Sequence, residues 1–116
     1  MSMFKGSPFG ELARLRDVTT KRASSWDRTG GNMDYLVVQP GEQVTLADIE
    51  GAGCINHIWC THSSQSKYYL RKVVLRAKWD NEPEYSINVP LGDFFGMGHG
   101  ECVNFSSAPL QMSPAD

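Results

Sequence analysis

Residues 24–34 hold the densest group of side chains that could bind a ligand. The segment reads SSWDRTGGNMD and combines an indole, two carboxylates, a guanidinium and an amide. It is too polar for a core strand and too rich in glycine for a helix. An aromatic ring packs against the C–H faces of a sugar, while Asp, Asn and Arg side chains bond its hydroxyl groups. The segment therefore fits a site for a polyhydroxylated ligand, and a surface turn with one partly buried tryptophan is the alternative.

A second candidate is the glycine-rich segment GMGHG at residues 96–100. It follows a predicted strand, but no helix pattern comes after it. The dinucleotide fingerprint and the phosphate loop both need that helix, so nucleotide binding is excluded. The glycines would let the backbone approach a ligand, with His99 as a hydrogen-bonding group. A mobile turn is the alternative.

Cys54, His57, Cys60 and His62 resemble a metal cluster only in sequence. In a strand His57 faces away from the other three, and the two cysteines would lie about 20 Å apart. One tetrahedral zinc cannot collect them. The sequence therefore predicts no metal and no cofactor. It predicts instead a half-buried strand histidine at position 57 and reduced, mostly buried thiols.

Composition excludes several classes of function. The chain has 116 residues, 41% of them hydrophobic, and a net charge of -2 with acids and bases interspersed. This balance gives no electrostatic argument for binding nucleic acid or an anionic membrane. No run approaches the roughly 20 apolar residues of a membrane span. The first residues lack an apolar stretch of signal-peptide length, which leads us to expect a cytoplasmic protein.

The elements that must position these residues are mostly strands. Ser7–Arg16 is the one predicted helix, with Ser7 as its cap. Two alternating strands joined by a turn at 80–83 predict an antiparallel hairpin. The predicted β-prone segments are Tyr35–Val38, Gln43–Ile49, Cys54–Thr61, Leu70–Asp80 and Tyr85–Leu91. One-sided burial predicts an all-β, jelly-roll β-sandwich, but the strands barely fill one sheet, so residues 1–116 read as a single, incomplete domain.

Four segments in this order resemble glycoside hydrolase family 172, formerly domain of unknown function 2961. The resemblance runs from about Phe9 to the last residue. The segments are SSWDRTGGNMD, LADIEGAGCINHIWCT, LRKVVLRAKWDNEPEYSINVPLGDFFGMGHG and SAPLQMSPAD. Four ordered segments are far more specific than any single motif.

The resemblance implies a double jelly roll in a full-length chain. It also implies a retaining glycosidase that acts on furanosides, such as α-D-fructofuranosides or D-arabinofuranosides, through two glutamates. Members of the family assemble as trimers or hexamers, with active sites near subunit interfaces. By matching the family pattern, the expected sugar contacts are Trp26, Asp27, Arg28, Asn32, Asp34 and His99.

The catalytic part of the family pattern lies beyond the point where this chain ends. Glu101 and the other acids here do not match the family's nucleophile or its acid/base. We therefore expect an N-terminal fragment of a furanosidase that contributes sugar contacts but is inactive alone. The rival interpretation is a non-catalytic carbohydrate-binding or assembly module, and a third is a β-domain that binds no ligand.

Overall fold

The structure is a computed structural model that describes Leu12 and residues 14–113. The chain forms two compact units, Met1–Ile55 and Asn56–Asp116. Among the described residues, the helices and paired strands all lie in the second unit. In chain order they are α1 (Tyr69–Lys72), β1 (Val74–Ala77), β2 (Ile87–Pro90), α2 (Leu91–Phe94), β3 (Phe105–Ser106) and β4 (Gln111–Met112).

The predicted hairpin is confirmed by the pairing of β1 with β2. The two strands are antiparallel, with Leu75 opposite Val89 and Ala77 opposite Ile87. These four side chains are partly buried, whereas Arg76 between them is exposed, as the alternation predicted.

The turn between β1 and β2 has a conformation that twisted hairpins favour. Asp80 and Asn81 both have positive φ, at 49° and 60°. The N–H of Glu82 donates to the carbonyl of Trp79 at 2.9 Å. Two consecutive left-handed residues define a type I′ turn, which reverses the chain within the connection at residues 78–86.

Pro90 lies at a position in β2 where pairing with β1 needs no backbone N–H. The N–H of Leu91 donates to the carbonyl of Val73 at 2.8 Å, which continues the register of the hairpin. Hydrogen-bonded pairs alternate with non-bonded pairs in an antiparallel ladder. Pro90, which faces Val74, is therefore in a non-bonded pair, where the backbone N–H would point away from β1.

The core of the second unit is the contact between α1 and α2. Leu70 of α1 and Met97, just after α2, are each only 2% exposed. Gly92 of α2 lies against Leu70, and a Cβ at Gly92 would come within 2.9 Å of both Leu70 Cβ and Leu70 O. The N–H of Met97 donates to the carbonyl of Gly92 at 2.6 Å. An ion pair between Arg71 and Asp93 ties the same two helices together at the surface.

A second, shorter hairpin follows the glycine-rich segment. β3 pairs antiparallel with β4, and Ser107 closes the turn by bonding Leu110 through both its backbone and its hydroxyl. The ring of Phe105 lies over Gly96, where an added Cβ would meet it at 2.8 Å. This contact joins the hairpin to the loop that carries His99.

Several strand predictions are wrong. Tyr35–Val38, Gln43–Ile49 and Cys54–Thr61 form no strand, and Leu70–Lys72 lies in α1 instead of a strand. The physical reason is the lack of a pairing partner. A strand is stable only when its backbone groups pair, and no described segment pairs with any of these three. Their apolar side chains stay exposed as a result, with Trp59 at 75%.

The smaller predictions have mixed outcomes. The turn predicted at Pro40-Gly41 is confirmed, because the N–H of Glu42 donates to the carbonyl of Gln39 at 3.0 Å and Gly41 has φ of 83°. His57 is exposed and outside any strand, so the half-buried strand histidine is wrong. The three cysteines are free as predicted, but they are exposed and not buried.

The fold class agrees with the sequence at a coarse level. Two small antiparallel sheets and two four-residue helices are consistent with an all-β protein. The jelly roll stays a prediction. The helix predicted at Ser7–Arg16 falls largely outside the described residues, and Arg14–Arg16 at its end are not helical. Neither described helix has the length or apolar character needed to cross a bilayer.

The close approach of Gly92 to Leu70 can be tested by adding one methyl group. We expect Gly92→Ala to destabilise the second unit by about 1–3 kcal/mol, because part of what the methyl meets is backbone that cannot rotate away. Gly98→Ala is the matched control, since a Cβ there meets no atom within 4 Å. Urea denaturation of both variants measures the difference. Equal midpoints would show that the α1–α2 contact is looser than described.

Candidate functional site

Asp27 is the centre of the segment at residues 24–34. Its Oδ1 accepts hydrogen bonds from the backbone N–H of Thr29 at 2.8 Å and from the Thr29 hydroxyl at 2.7 Å. Its Oδ2 accepts from the N–H of Met33 at 3.1 Å. Both oxygens of the carboxylate therefore point into the loop and hold its two ends together.

Asp34 closes the same loop from its other end. Its Oδ1 accepts from the backbone N–H of Asp27 at 2.7 Å, and its carbonyl accepts from the hydroxyl of Ser25 at 2.9 Å. Each aspartate thus fixes backbone next to the other. The geometry gives both residues a scaffolding role.

The Gly-Gly pair is required by this loop. Gly30 has φ of 79°, and its N–H donates to the carbonyl of Asp27 at 3.1 Å, which makes a tight turn. A Cβ at Gly31 would come within 2.8 Å of Asp27 Oδ2. Asn32 also has positive φ, at 61°, a conformation that asparagine tolerates better than most residues.

Hydrogen bonds lower the pKa of Asp27. The Thr29 hydroxyl is the largest cause, followed by the backbone N–H groups of Thr29 and Met33. Donors that point at a carboxylate stabilise its charged form. Asp27 is therefore ionised at neutral pH.

The side chains of this segment that face outward are different ones. The indole of Trp26 is 53% exposed, and the guanidinium of Arg28 lies over it, with 5.3 Å from Cζ to the ring centroid. Asn32 is exposed as well. An aromatic surface beside a guanidinium and an amide is what a sugar site needs.

His99 belongs to the second unit and is exposed. Its loop is fixed on α1 by contacts on both sides. Met97 is buried beside Leu70, the N–H of Gly100 donates to the carbonyl of Met97 at 3.0 Å, and Gly100 lies close to the side chain of Arg71. The residues on both sides of His99 are therefore bonded to, or packed near, the α1–α2 contact.

Beyond Gly100 a further contact ties the chain to α1. The Tyr69 hydroxyl and Cys102 Sγ lie 3.5 Å apart, and this hydrogen bond is the main reason that the pKa of Tyr69 is raised. The ring of His62 meets Tyr69 edge-on at 5.0 Å between centroids, and burial lowers the pKa of His62. Sequence reasoning did not anticipate this cluster, because its members are separated in the chain.

Metal binding finds no geometric support in the residues that the structure describes. They contain no group of three His, Cys, Asp or Glu side chains that could hold an ion. Of the six predicted sugar contacts, Trp26, Asp27, Arg28, Asn32 and Asp34 lie together in one loop of the first unit, and His99 lies in the second. Thr29 was missed as the main partner of Asp27, although a threonine two residues after an aspartate is a known turn pattern.

A family model described as GH172 domain-like matches residues 29–108, which are 80 of the 116 residues. The chain belongs to this family, as the four sequence segments indicated. The match includes Asn32, Asp34 and His99, and begins just after Trp26, Asp27 and Arg28. No curated protein and no solved structure matches the chain significantly.

The lowered pKa of Asp27 makes the order of its loop dependent on pH. Because the folded pKa lies below the ordinary value of 3.8, the bonds to Thr29 and Met33 stabilise the loop above that value. They are lost as the pH falls through the lowered pKa. We expect the amide NMR signals of Thr29 and Met33 to shift together below pH 3.8.

Asp27→Asn should abolish this common transition, because the amide does not titrate in that range. Asp48→Asn is the control, since Asp48 is exposed and makes no hydrogen bond with a described residue. If the two signals titrate in the Asp27→Asn variant as they do in the parent, the carboxylate does not hold the loop.

Proposed function

We propose that this chain forms the N-terminal part of a retaining glycoside hydrolase that acts on furanosides, and that it supplies sugar-contacting residues to that enzyme. The observation that carries the proposal is the family match over residues 29–108. Fructofuranosides and arabinofuranosides are the substrate types that the resemblance implies.

We assign different roles to the predicted residues of the proposed site. Trp26 stacks on the sugar ring, and Arg28 and Asn32 donate hydrogen bonds to hydroxyl groups. Asp27 and Asp34 hold the loop, because carboxylate oxygens of both accept bonds from its backbone. His99, in the second unit, is a separate candidate for hydrogen bonding to sugar.

Catalysis needs two carboxyl groups on opposite sides of the scissile bond, about 5 Å apart in a retaining enzyme. By resemblance, the family's glutamates are not among the acids of this chain. We therefore assign catalysis to the rest of the proposed enzyme.

The purified 116-residue chain should show no turnover of an aryl fructofuranoside or an aryl arabinofuranoside. The assay is release of the coloured phenol, with the same substrates and a known furanosidase as the positive control. Measurable turnover that survives further purification would contradict the proposal, because it would place a catalytic pair in this chain.

A non-catalytic sugar-binding module is the second candidate, and the exposed indole of Trp26 favours it. Sugar binding without turnover is expected of both. An open reading frame downstream that continues the family pattern favours the enzyme, whereas a stop favours the module.

We further propose that the chain self-associates, as members of the family do. The support is a set of exposed apolar side chains that isolated units rarely leave in water, among them Ile55, Ile58, Trp59, Val37 and Leu46. Light scattering coupled to size exclusion should give a mass of three or six copies at micromolar concentration. A monomer with a reversible melt that does not depend on concentration would oppose this proposal.

A further inference from the structure

Two guanidinium groups border the exposed indole of Trp26. Arg22, Ser24 and Trp26 line a recess of about 280 Å³ in the first unit. Nη2 of Arg22 donates to the hydroxyl of Ser24 at 3.3 Å, which orients the arginine toward this recess. Arg28 lies over the same indole from its own position in the loop.

The two carboxylates of the same segment already accept hydrogen bonds from within the loop. Asp27 accepts three hydrogen bonds from Thr29 and Met33, and Asp34 accepts one from the N–H of Asp27. In contrast, neither Arg22 nor Arg28 forms an ion pair within the part of the chain that the structure describes. Both guanidinium groups beside Trp26 therefore lack a carboxylate partner among the described residues.

Arg22 adds a second guanidinium to the indole, guanidinium and amide that already suit a neutral sugar. Hydroxyl groups are bonded well by carboxylates and amides, but here both carboxylates bond the backbone of their own loop. Guanidinium groups bind carboxylates and phosphates best, through two parallel charge-assisted hydrogen bonds. Stacking on Trp26 gives Arg28 a structural role. It gives no role to Arg22 or to the recess.

We propose that the recess beside Trp26 binds an anionic group of the saccharide, a carboxylate or a phosphate, and that Arg22 is a specificity residue for it. This inference rests on the proposed function and narrows its substrate to acidic furanosides. The sugar ring stacks on the indole, and the anion is bonded by Arg22 and Arg28. Ser24 holds the guanidinium of Arg22 in place.

The test compares neutral and acidic sugars on the full 116-residue chain. The probes are D-arabinose, D-arabinose 5-phosphate, a methyl hexofuranoside and the corresponding methyl hexofuranosiduronate, each titrated by NMR at low salt. We expect at least one acidic sugar to bind about tenfold more tightly than its neutral counterpart, which corresponds to one charge-assisted hydrogen bond. The pair that shows the preference identifies phosphate or carboxylate as the anion.

Variants distinguish a specific role of Arg22 in anion binding from a general effect of positive charge. Arg22→Gln should reduce the preference to within about twofold, and Arg28→Gln should weaken it as well. Lys21→Gln is the matched control, because it removes one positive charge next to Arg22 but lies outside the recess. Unchanged amide signals in the remainder of the spectrum will show that each variant keeps its fold.

The outcomes distinguish this inference from the proposed function. Equal binding of neutral and acidic sugars, lost in Trp26→Ala, overturns the inference and leaves the sugar site standing. Absence of binding by any sugar overturns both. Inorganic phosphate that binds as tightly as the sugar phosphate, with no effect of Trp26→Ala, also overturns the inference, because the recess would then bind free anions.

Discussion

Backbone pairing decides where this chain has regular structure. Each strand needs a neighbour for its N–H and C=O groups, and the sequence brings one close where a connection of a few residues joins two β-prone segments. β1 and β2 meet this condition through residues 78–86, which reverse direction at Asp80-Asn81. Cys54–Thr61 has an equally β-prone composition but pairs with no described segment, and it stays exposed.

The loop around Asp27 solves the same problem with side chains. Its backbone N–H groups find no ladder, and the carboxylates of Asp27 and Asp34 accept them instead. This use of both acids changes the character of the surface. The residues that remain outward are an indole, an amide and guanidinium groups, so the carboxylates bond the loop internally and the guanidinium groups lie at its edge.

What could be predicted from the sequence was mostly what depends on neighbours in the chain. The β1–β2 hairpin and the Pro40-Gly41 turn follow from alternation and from turn residues, and both are present. α1 was missed because Leu70–Lys72 continue the alternation of the next strand, and the contact with Gly92 that buries Leu70 lies more than twenty positions away. The candidate site residues follow from composition and family pattern. The bond from Met33 to Asp27 could not be predicted, because it depends on the left-handed conformations of Gly30 and Asn32, whereas the bond from Thr29 follows a known turn pattern.

Pro90 has a consequence for how a larger sheet can be built on this hairpin. Pro90 lies in a pair where its missing N–H would point away from β1. Asn88, two residues earlier, has an intact backbone N–H on the same edge. A strand that joins this edge can accept a bond from Asn88 but not from Pro90. An added strand can therefore accept this backbone hydrogen bond at the Asn88 end of the edge but not at the Pro90 end. The register of an incoming strand is thus restricted by β2 itself, before any side chain of the two faces is packed.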